Sequence, residues 1–332
     1  MRVTADDVAA AAGVSRAMVS RAFTPGASIS ARRRAQVLAV AETLGYRPNL
    51  IARGLTGART GLIALVVGEV GRPYESWLLE HLGAAVRSQG CWPLLLPVRP
   101  GDEADAALDH ALAYQVDGAI VAAGSISRAL AERCRGSGAP VVMVGRILAD
   151  GPDGAPGADA VCCDNAAGMA ALAELLVERG RRRIAWIGGT AETFSDIERH
   201  AGLTAALARH GLRPLAERRG DYSVDSGMAQ ALALLTAHDR PDAIVCGNDA
   251  MALGAVSAAM RLGMAVPGDV AIAGFDDVPA AAWEPYSLTT VRNPVEDTAA
   301  EALRLLRARI DGAAGPARTV RLAPQLVVRR SA

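Results

Sequence analysis

Lysine is absent from this chain: all 35 basic side chains in its 332 residues are arginine. This reads as genome composition rather than function, although arginine is also the better bidentate partner for phosphates and guanines. Aromatic residues make up only 4%, while half the chain is apolar, so a large core must be built from Ala, Val, Leu and Ile. Cysteine is scarce. The five residues, Cys91, Cys134, Cys162, Cys163 and Cys246, are odd in number and show no CxxC spacing, which excludes a disulfide framework and a zinc site. Cys162 and Cys163 lie in an apolar run and read as strand filler. No apolar run approaches the roughly 18 residues of a membrane helix, and Asp6 and Asp7 interrupt the place where a secretory core would sit. The expectation is a cytoplasmic protein. Five histidines form no HExxH arrangement, and neither a GxSxG elbow nor a P-loop is present. Gly188-Gly189-Thr190 resembles a phosphate cradle only weakly. No enzyme activity, cofactor or metal is expected.

A net charge of zero conceals an asymmetry. Residues 1–60 hold nine arginines and three acids, a surplus of +6, and the remaining 272 residues carry the compensating −6. A basic head on an acidic body suggests an appended polyanion-binding module. Thr4 and Asp7 can cap a first helix running through Val8 and Ala9 to Ala12, and Gly13 permits a tight turn. Ser15 caps a second helix ending near Thr24, before Pro25-Gly26. Ser30 caps a third, with Val37, Leu38, Ala41 and Leu44 on one face. In the second helix, Val14, Met18, Val19 and Ala22 recur at inward spacing. Arg16, Ala17, Ser20, Arg21 and Thr24 share the opposite face. Such a small, cationic, hydrogen-bonding face can approach base edges closely; as a bare pattern it also describes a solvated helix face.

"VTADDVAAAAGVSRAMVSRAF" and "VLAVAETLGYRPNLIARGL" together resemble the LacI/GalR family of bacterial transcription regulators, and the resemblance extends over nearly the whole chain. It implies a fold: a small all-α helix-turn-helix head with a hinge helix, then a two-lobed α/β, type I periplasmic-binding-protein-like domain. It implies that Arg16, Ala17 and Arg21 read bases, that Ser15, Ser20 and Thr24 help position them, and that Thr4 belongs to the DNA-binding set. Pro48 breaks the preceding helix, Asn49 can cap a short new one, and a helix of about six residues is unstable alone. By resemblance this hinge, with Asn49, Ala52 and Leu55, meets the minor groove and Leu55 wedges between base steps. On its residues alone it equally describes a plain linker.

The domains expected are residues 1–46 for the head, 47–60 for the hinge and linker, and 61–332 for effector binding and dimerisation. In that body, apolar runs alternate with amphipathic stretches. Strands are expected at Leu62–Val67, Trp92–Val98, Ala119–Ala122, Val141–Val144, Val161–Cys163, Ile184–Ile187, Ala243–Cys246, Val270–Gly274 and Leu326–Val328. Helices such as Gly168–Arg179 and Ala250–Leu262 lie between them, and 97–105 and 150–159 are expected as loops. This predicts parallel sheets covered on both faces. The resemblance implies two lobes exchanging the chain three times, one of about 61–160 and 292–321, the other of about 161–291 and 322–332.

Ligands of such folds bind at the carboxyl ends of strands. By resemblance Tyr74, Arg199, Tyr222, Asn248 and Asp276 are effector contacts. Ser195 stands one helical turn before Arg199, and Arg146 is a further polar candidate. Asp249 reads as a helix cap. Gly68, Ala122 and Gly145 replace frequent polar ligands, so the first lobe looks plain and the second polar. A sugar or sugar derivative is the expected effector, with sugar acids, nucleosides and phosphorylated sugars open. The partners implied are pseudo-palindromic double-stranded DNA and a second copy of the chain, as a homodimer or higher. The function expected is an effector-controlled regulator, a repressor. Two other readings share these features: a periplasmic-type receptor with no DNA role, and a DNA-binding protein whose body is only structural.

Overall fold

The computed structural model describes residues 3–24, 26–47, 59–99, 104–122, 126–148, 157–191 and 193–332. The chain divides into two compact units, Met1–Thr60 and Gly61–Ala332.

Among the described residues of the first unit are three helices, α1 (Ala5–Ala12), α2 (Arg16–Ala22) and α3 (Ala31–Thr43). Each begins where a hydroxyl can satisfy free amides. The Thr4 hydroxyl accepts from the Asp7 amide while the Asp7 carboxylate accepts from the Thr4 amide (2.8 Å), and Ser15 and Ser30 cap α2 and α3. Gly13 takes a left-handed conformation (φ 62°) that ends α1 and turns the chain into α2. Val8, Ala12, Val19, Ala22, Val37 and Ala41 form the core, and Phe23 meets Tyr46 edge to face at its rim. The expected inward face of α3 needs correction: Leu38 and Leu44 are 39% and 38% exposed. Two short neighbouring helices cover only the narrow stripe of Val37 and Ala41.

The second unit alternates strands and helices. Its first sheet has the order β11-β5-β4-β3-β1-β2, with β1 (Leu62–Val67), β2 (Trp92–Pro97), β3 (Gly118–Val121), β4 (Val141–Val144), β5 (Asp159–Cys163) and β11 (Thr319–Leu322), all parallel. The second has the order β12-β10-β9-β8-β6-β7, with β6 (Ile184–Gly188), β7 (Glu217–Arg219), β8 (Ala243–Cys246), β9 (Ala271–Asp276), β10 (Thr289–Arg292) and β12 (Gln325–Val327). There only β12 runs antiparallel, against β10. Strand residues alternate between faces: Ile63, Leu65 and Val67 pack on one side, Ala64 and Val66 on the other. Helices α4 (Pro73–Ser88) and α11 (Val295–Ile310) cover the first of these faces. Helices α5 (Ala104–Leu112) and α6 (Arg128–Gly136) cover the other. In the second lobe α7 (Asn165–Glu178) and α8 (Phe194–Arg209) face α9 (Val224–Leu235) and α10 (Asp249–Arg261) across the sheet.

The chain crosses between lobes three times, after β5, after β10 and between β11 and β12. The expected first boundary at residue 160 is therefore corrected. It would cut β5, whose Val161 pairs with Val144 inside the first sheet, so the crossing follows Cys163. The loop expected to reach residue 159 also ends earlier. Asp159 opens β5, is buried, and is held by the Arg309 guanidinium at 2.8 Å. Strands β7, β10 and β11 were not expected, because Glu-Arg-Arg and Thr-rich segments carry no apolar run.

In the second lobe, α9 and α10 touch through glycine. A Cβ on Gly227 would lie 2.2 Å from the Met251 carbonyl oxygen, and one on Gly254 would lie 2.1 Å from that of Val224. Neither backbone can yield without separating the helices. Gly227→Ala is expected to cost about 1–3 kcal/mol in urea unfolding; unchanged stability would show that the two helices part freely.

Candidate functional site

On the first unit, α2 buries Val19 and Ala22 and exposes Arg16, Ala17, Ser20 and Arg21 together. Thr24 is half-buried, and its hydroxyl donates to the Ser20 carbonyl (2.9 Å). Arg21 borders a shallow hollow with Ser28, Ser30 and Arg33. Arg34, adjacent in sequence to Arg33, does something else. Its guanidinium donates to the carbonyls of Ala22 (3.0 Å), Thr24 (3.2 Å) and Ala27 (3.1 Å), gathering the chain that leaves α2. It therefore fixes the angle at which α2 presents its exposed face. Asn49, Ala52 and Leu55 lie outside the described residues.

On the second unit, a cleft of about 460 Å³ opens at the carboxyl ends of the parallel strands, lined from both lobes. All seven residues expected to contact an effector line it: Tyr74 and Arg146 from the first lobe, and Ser195, Arg199, Tyr222, Asn248 and Asp276 from the second. Gly68, Ala122 and Gly145 line it as well, but the first-lobe wall is not plain. Glu69, Arg72, Glu75 and Arg99 also face the cleft.

Its centre is a buried ion pair. Arg199, on α8, is 5% exposed and Asp276, at the end of β9, is 3% exposed. The Arg199 guanidinium donates to Asp276 (3.1 Å), to the Asn165 side chain (2.9 Å) and to the Gly247 carbonyl (2.6 Å), and stacks 3.8 Å above the Phe275 ring. Asn293 donates to Asp276 (3.3 Å) and to the Tyr74 hydroxyl (3.2 Å), which belongs to the other lobe. Burial pushes the Asp276 carboxyl up, and Arg199 and the Asn293 amide oppose it. Burial likewise drives the Tyr74 hydroxyl far above its ordinary range, so it stays protonated. Asp276 has φ 114° and Tyr222 φ 69°, left-handed conformations that non-glycine residues adopt at a cost of about 1–3 kcal/mol each. Two of the five non-glycine residues with positive φ among the described residues thus lie on the cleft wall.

Asn165 and Asn293 are not singled out by the sequence, although both sit one or two residues past a strand from which the chain crosses between lobes. Asp249 is corrected: Asn248 caps α10 by accepting from the Met251 amide (3.0 Å). Asp249 is instead buried, accepting from the Val278 amide (2.9 Å) and the Thr290 hydroxyl. The Gly189 amide is taken by the buried Asp196 carboxylate (3.0 Å), which would repel a phosphate there.

Two family models match the chain. One describes bacterial regulatory proteins of the lacI family and matches residues 4–49; the other describes a periplasmic binding protein-like domain and matches residues 173–332. Catabolite control protein A of Priestia megaterium is 31% identical over 92% of each chain. A lac repressor dimer bound to operator and the anti-inducer ONPF superposes with TM-score 0.86 at 26% identity, covering 100% of this chain and 99% of that one. A complex of the transcriptional regulator CelR with cellobiose superposes with TM-score 0.73 at 31% identity over 100% of both chains.

The Tyr222 ring forms the cleft wall by lying on Gly189, where an added Cβ would stand 2.0 Å from the ring. Gly189→Ala is expected to drive the ring out of the wall and to cost about 1–3 kcal/mol. A crystal structure of the variant with Tyr222 unmoved would contradict this.

Proposed function

The chain belongs to the LacI family of bacterial regulatory proteins and is a DNA-binding transcription regulator, and we propose that it is a homodimeric repressor whose hold on a pseudo-palindromic operator is set by a sugar or sugar derivative in the cleft. The observation that carries this proposal is the convergence of seven polar side chains from two lobes on one cleft, around the Arg199–Asp276 pair. Hydroxyls of a sugar can exchange their water for such charged and amide groups at little cost. The CelR relative, seen with cellobiose, supports a sugar as the ligand class.

The operator would be read by Arg16, Ala17 and Arg21 in the major groove, with Ser15, Ser20 and Thr24 positioning them. Thr4 would act near the backbone through the capped start of α1. Asn49, Ala52 and Leu55 are assigned to the minor groove by sequence resemblance. One short helix reads few base pairs, so a twofold dimer on a twofold site supplies the specificity. The lac repressor relative is such a dimer on its operator. In this chain the edge strand β2 exposes Trp92 (58%) and Leu95 (43%), an apolar edge that a second copy would cover. A cytoplasmic protein is what this role requires; among the described residues no helix is long and apolar enough to cross a membrane.

The coupling would run through the crossovers. Asn165 follows β5 and Asn293 follows β10, and both hydrogen-bond the ion pair that the effector would touch. A ligand that alters this network alters how the lobes meet. A few kcal/mol of differential binding then shifts operator affinity strongly.

Two outcomes follow. With operator DNA selected from a random pool by the full-length chain, Arg21→Ala is expected to cost about 1–3 kcal/mol per half-site and relax sequence preference. Unchanged affinity and preference in gel shifts would remove Arg21 from the reading set. In a thermal-shift and operator-release assay against a panel of sugars, Asp276→Asn is expected to weaken the response by about tenfold or more, with operator binding retained. A response at the wild-type concentration would overturn the pocket assignment.

A further inference from the structure

The first-lobe end of the cleft carries two polar groups with no counterpart in the ion-pair network. Thr298, in the first turn of α11, lines the cleft and is 3% exposed, and its hydroxyl has no hydrogen-bond partner among the described residues. A hydroxyl buried without a partner costs about 1–3 kcal/mol, so such a position points to a ligand. Glu75 lines the same cleft from α4, which packs directly on α11 through Leu78, Leu82, Val295 and Ala299. Tyr74 stands beside it. Its oxygen accepts from Asn293, which leaves its own proton for a further acceptor.

We propose that Thr298 and Glu75 form the first-lobe half of the effector site, and that they hydrogen-bond a neutral, hydroxyl-bearing part of the effector. The inference rests on the cleft being the effector site. An apolar group placed there would seal the Thr298 hydroxyl and the Glu75 carboxyl away from water without partners. An anion would stand against Glu75, Glu69 and Asp276. Of the cations that line the cleft, Arg72 is engaged by Glu69 at 2.8 Å and Arg199 by Asp276; Arg99 and Arg146 line it as well, and glucuronate tests whether they draw an anion. A neutral polyol satisfies both the hydroxyl and the carboxyl.

Protonation gives the site a pH signature. Burial pushes the Glu75 carboxyl up to about 7, the negative charges of Asp276 and Glu69 add to this, and its own backbone amide and Arg72 oppose it. Below that pH Glu75 is a hydrogen-bond donor. A neutral ligand that shields it further favours the protonated form, so binding takes up a proton and affinity falls as pH rises above about 7. The free protein carries the same signature. A carboxyl raised in the folded state contributes stability at low pH that is lost as pH rises from the ordinary carboxylate range to about 7.

The test uses the full-length chain, its Glu75→Gln and Thr298→Val variants, and four probes: glucose, cellobiose, glucuronate and 4-nitrophenyl β-glucoside. Without any probe, Glu75→Gln is expected to gain stability relative to wild type between pH 5 and pH 8; a constant difference overturns the role of Glu75. With probes, glucose or cellobiose is expected to stabilise wild type more than the charged or apolar-tailed probe does. Its affinity should fall by about tenfold or more from pH 6 to pH 8.5 in wild type but not in Glu75→Gln. Thr298→Val should lose about three- to tenfold. A neutral sugar that binds both variants like wild type at every pH overturns this subsite and leaves the cleft as an effector site. Binding of glucuronate or the nitrophenyl glucoside in preference to neutral sugars does the same. Silence from all four overturns the subsite and the sugar reading together.

Discussion

A buried ion pair is the constraint on which this molecule turns. Arg199 and Asp276 come from a helix and a strand 77 residues apart, and both are removed from water. Burying two charges is favourable only when geometry is good and the remaining donors are satisfied. Here they are satisfied by particular neighbours: Asn165, the Gly247 carbonyl, Asn293 and the Phe275 face. Each neighbour lies at the carboxyl end of a strand of the second lobe or on a segment passing between lobes. The pair therefore bonds the chain where β8 and β9 end and where two crossovers begin, on the wall of the cleft.

That arrangement links local chemistry to lobe geometry. The Tyr74 hydroxyl reaches Asn293 across the cleft, so the network touches both lobes before any ligand arrives. The strained backbone at Asp276 and Tyr222 is held by packing, with Tyr222 seated on Gly189 and its carbonyl bound by the Asn248 amide (3.2 Å). A site assembled in advance loses little entropy when it is filled. In the other unit, Arg34 has an analogous part, fixing a helix through three carbonyls so that its exposed face is presented rigidly.

Much of this was legible in the amino-acid order. Ser15, Gly13 and Thr4 announce the helices of the first unit because capping and left-handed turns are local chemistry. Asn248 and Asp276 stand out because polar residues directly after apolar strands fall at a parallel sheet's binding edge, whereas Arg199, inside α8, stands out only through the family resemblance. What stayed hidden depends on tertiary partners. Asn293 follows a strand whose Thr289 and Thr290 are buried through hydroxyl bonds rather than apolarity. Thr298 and Glu75 sit on helices whose spacing reads as ordinary amphipathic surface. Arg34 is indistinguishable in sequence from Arg32 and Arg33, and only the carbonyls of Ala22, Thr24 and Ala27 separate its role from theirs. The boundary after Cys163 depends on a register with Val144 that no local signal records.

The central claim is that Arg199 and Asp276 act as one unit within the body. A double-mutant cycle in urea unfolding tests it most directly, using Arg199→Met, Asp276→Asn and the double variant. Either single change leaves a buried charge or acceptor without its partner, at a cost of about 3–5 kcal/mol. The account predicts that the double variant costs less than the two singles together by about 0.5–3 kcal/mol. Additive costs would contradict it, showing that the two residues are held independently and that no single interaction joins the cleft to the crossovers.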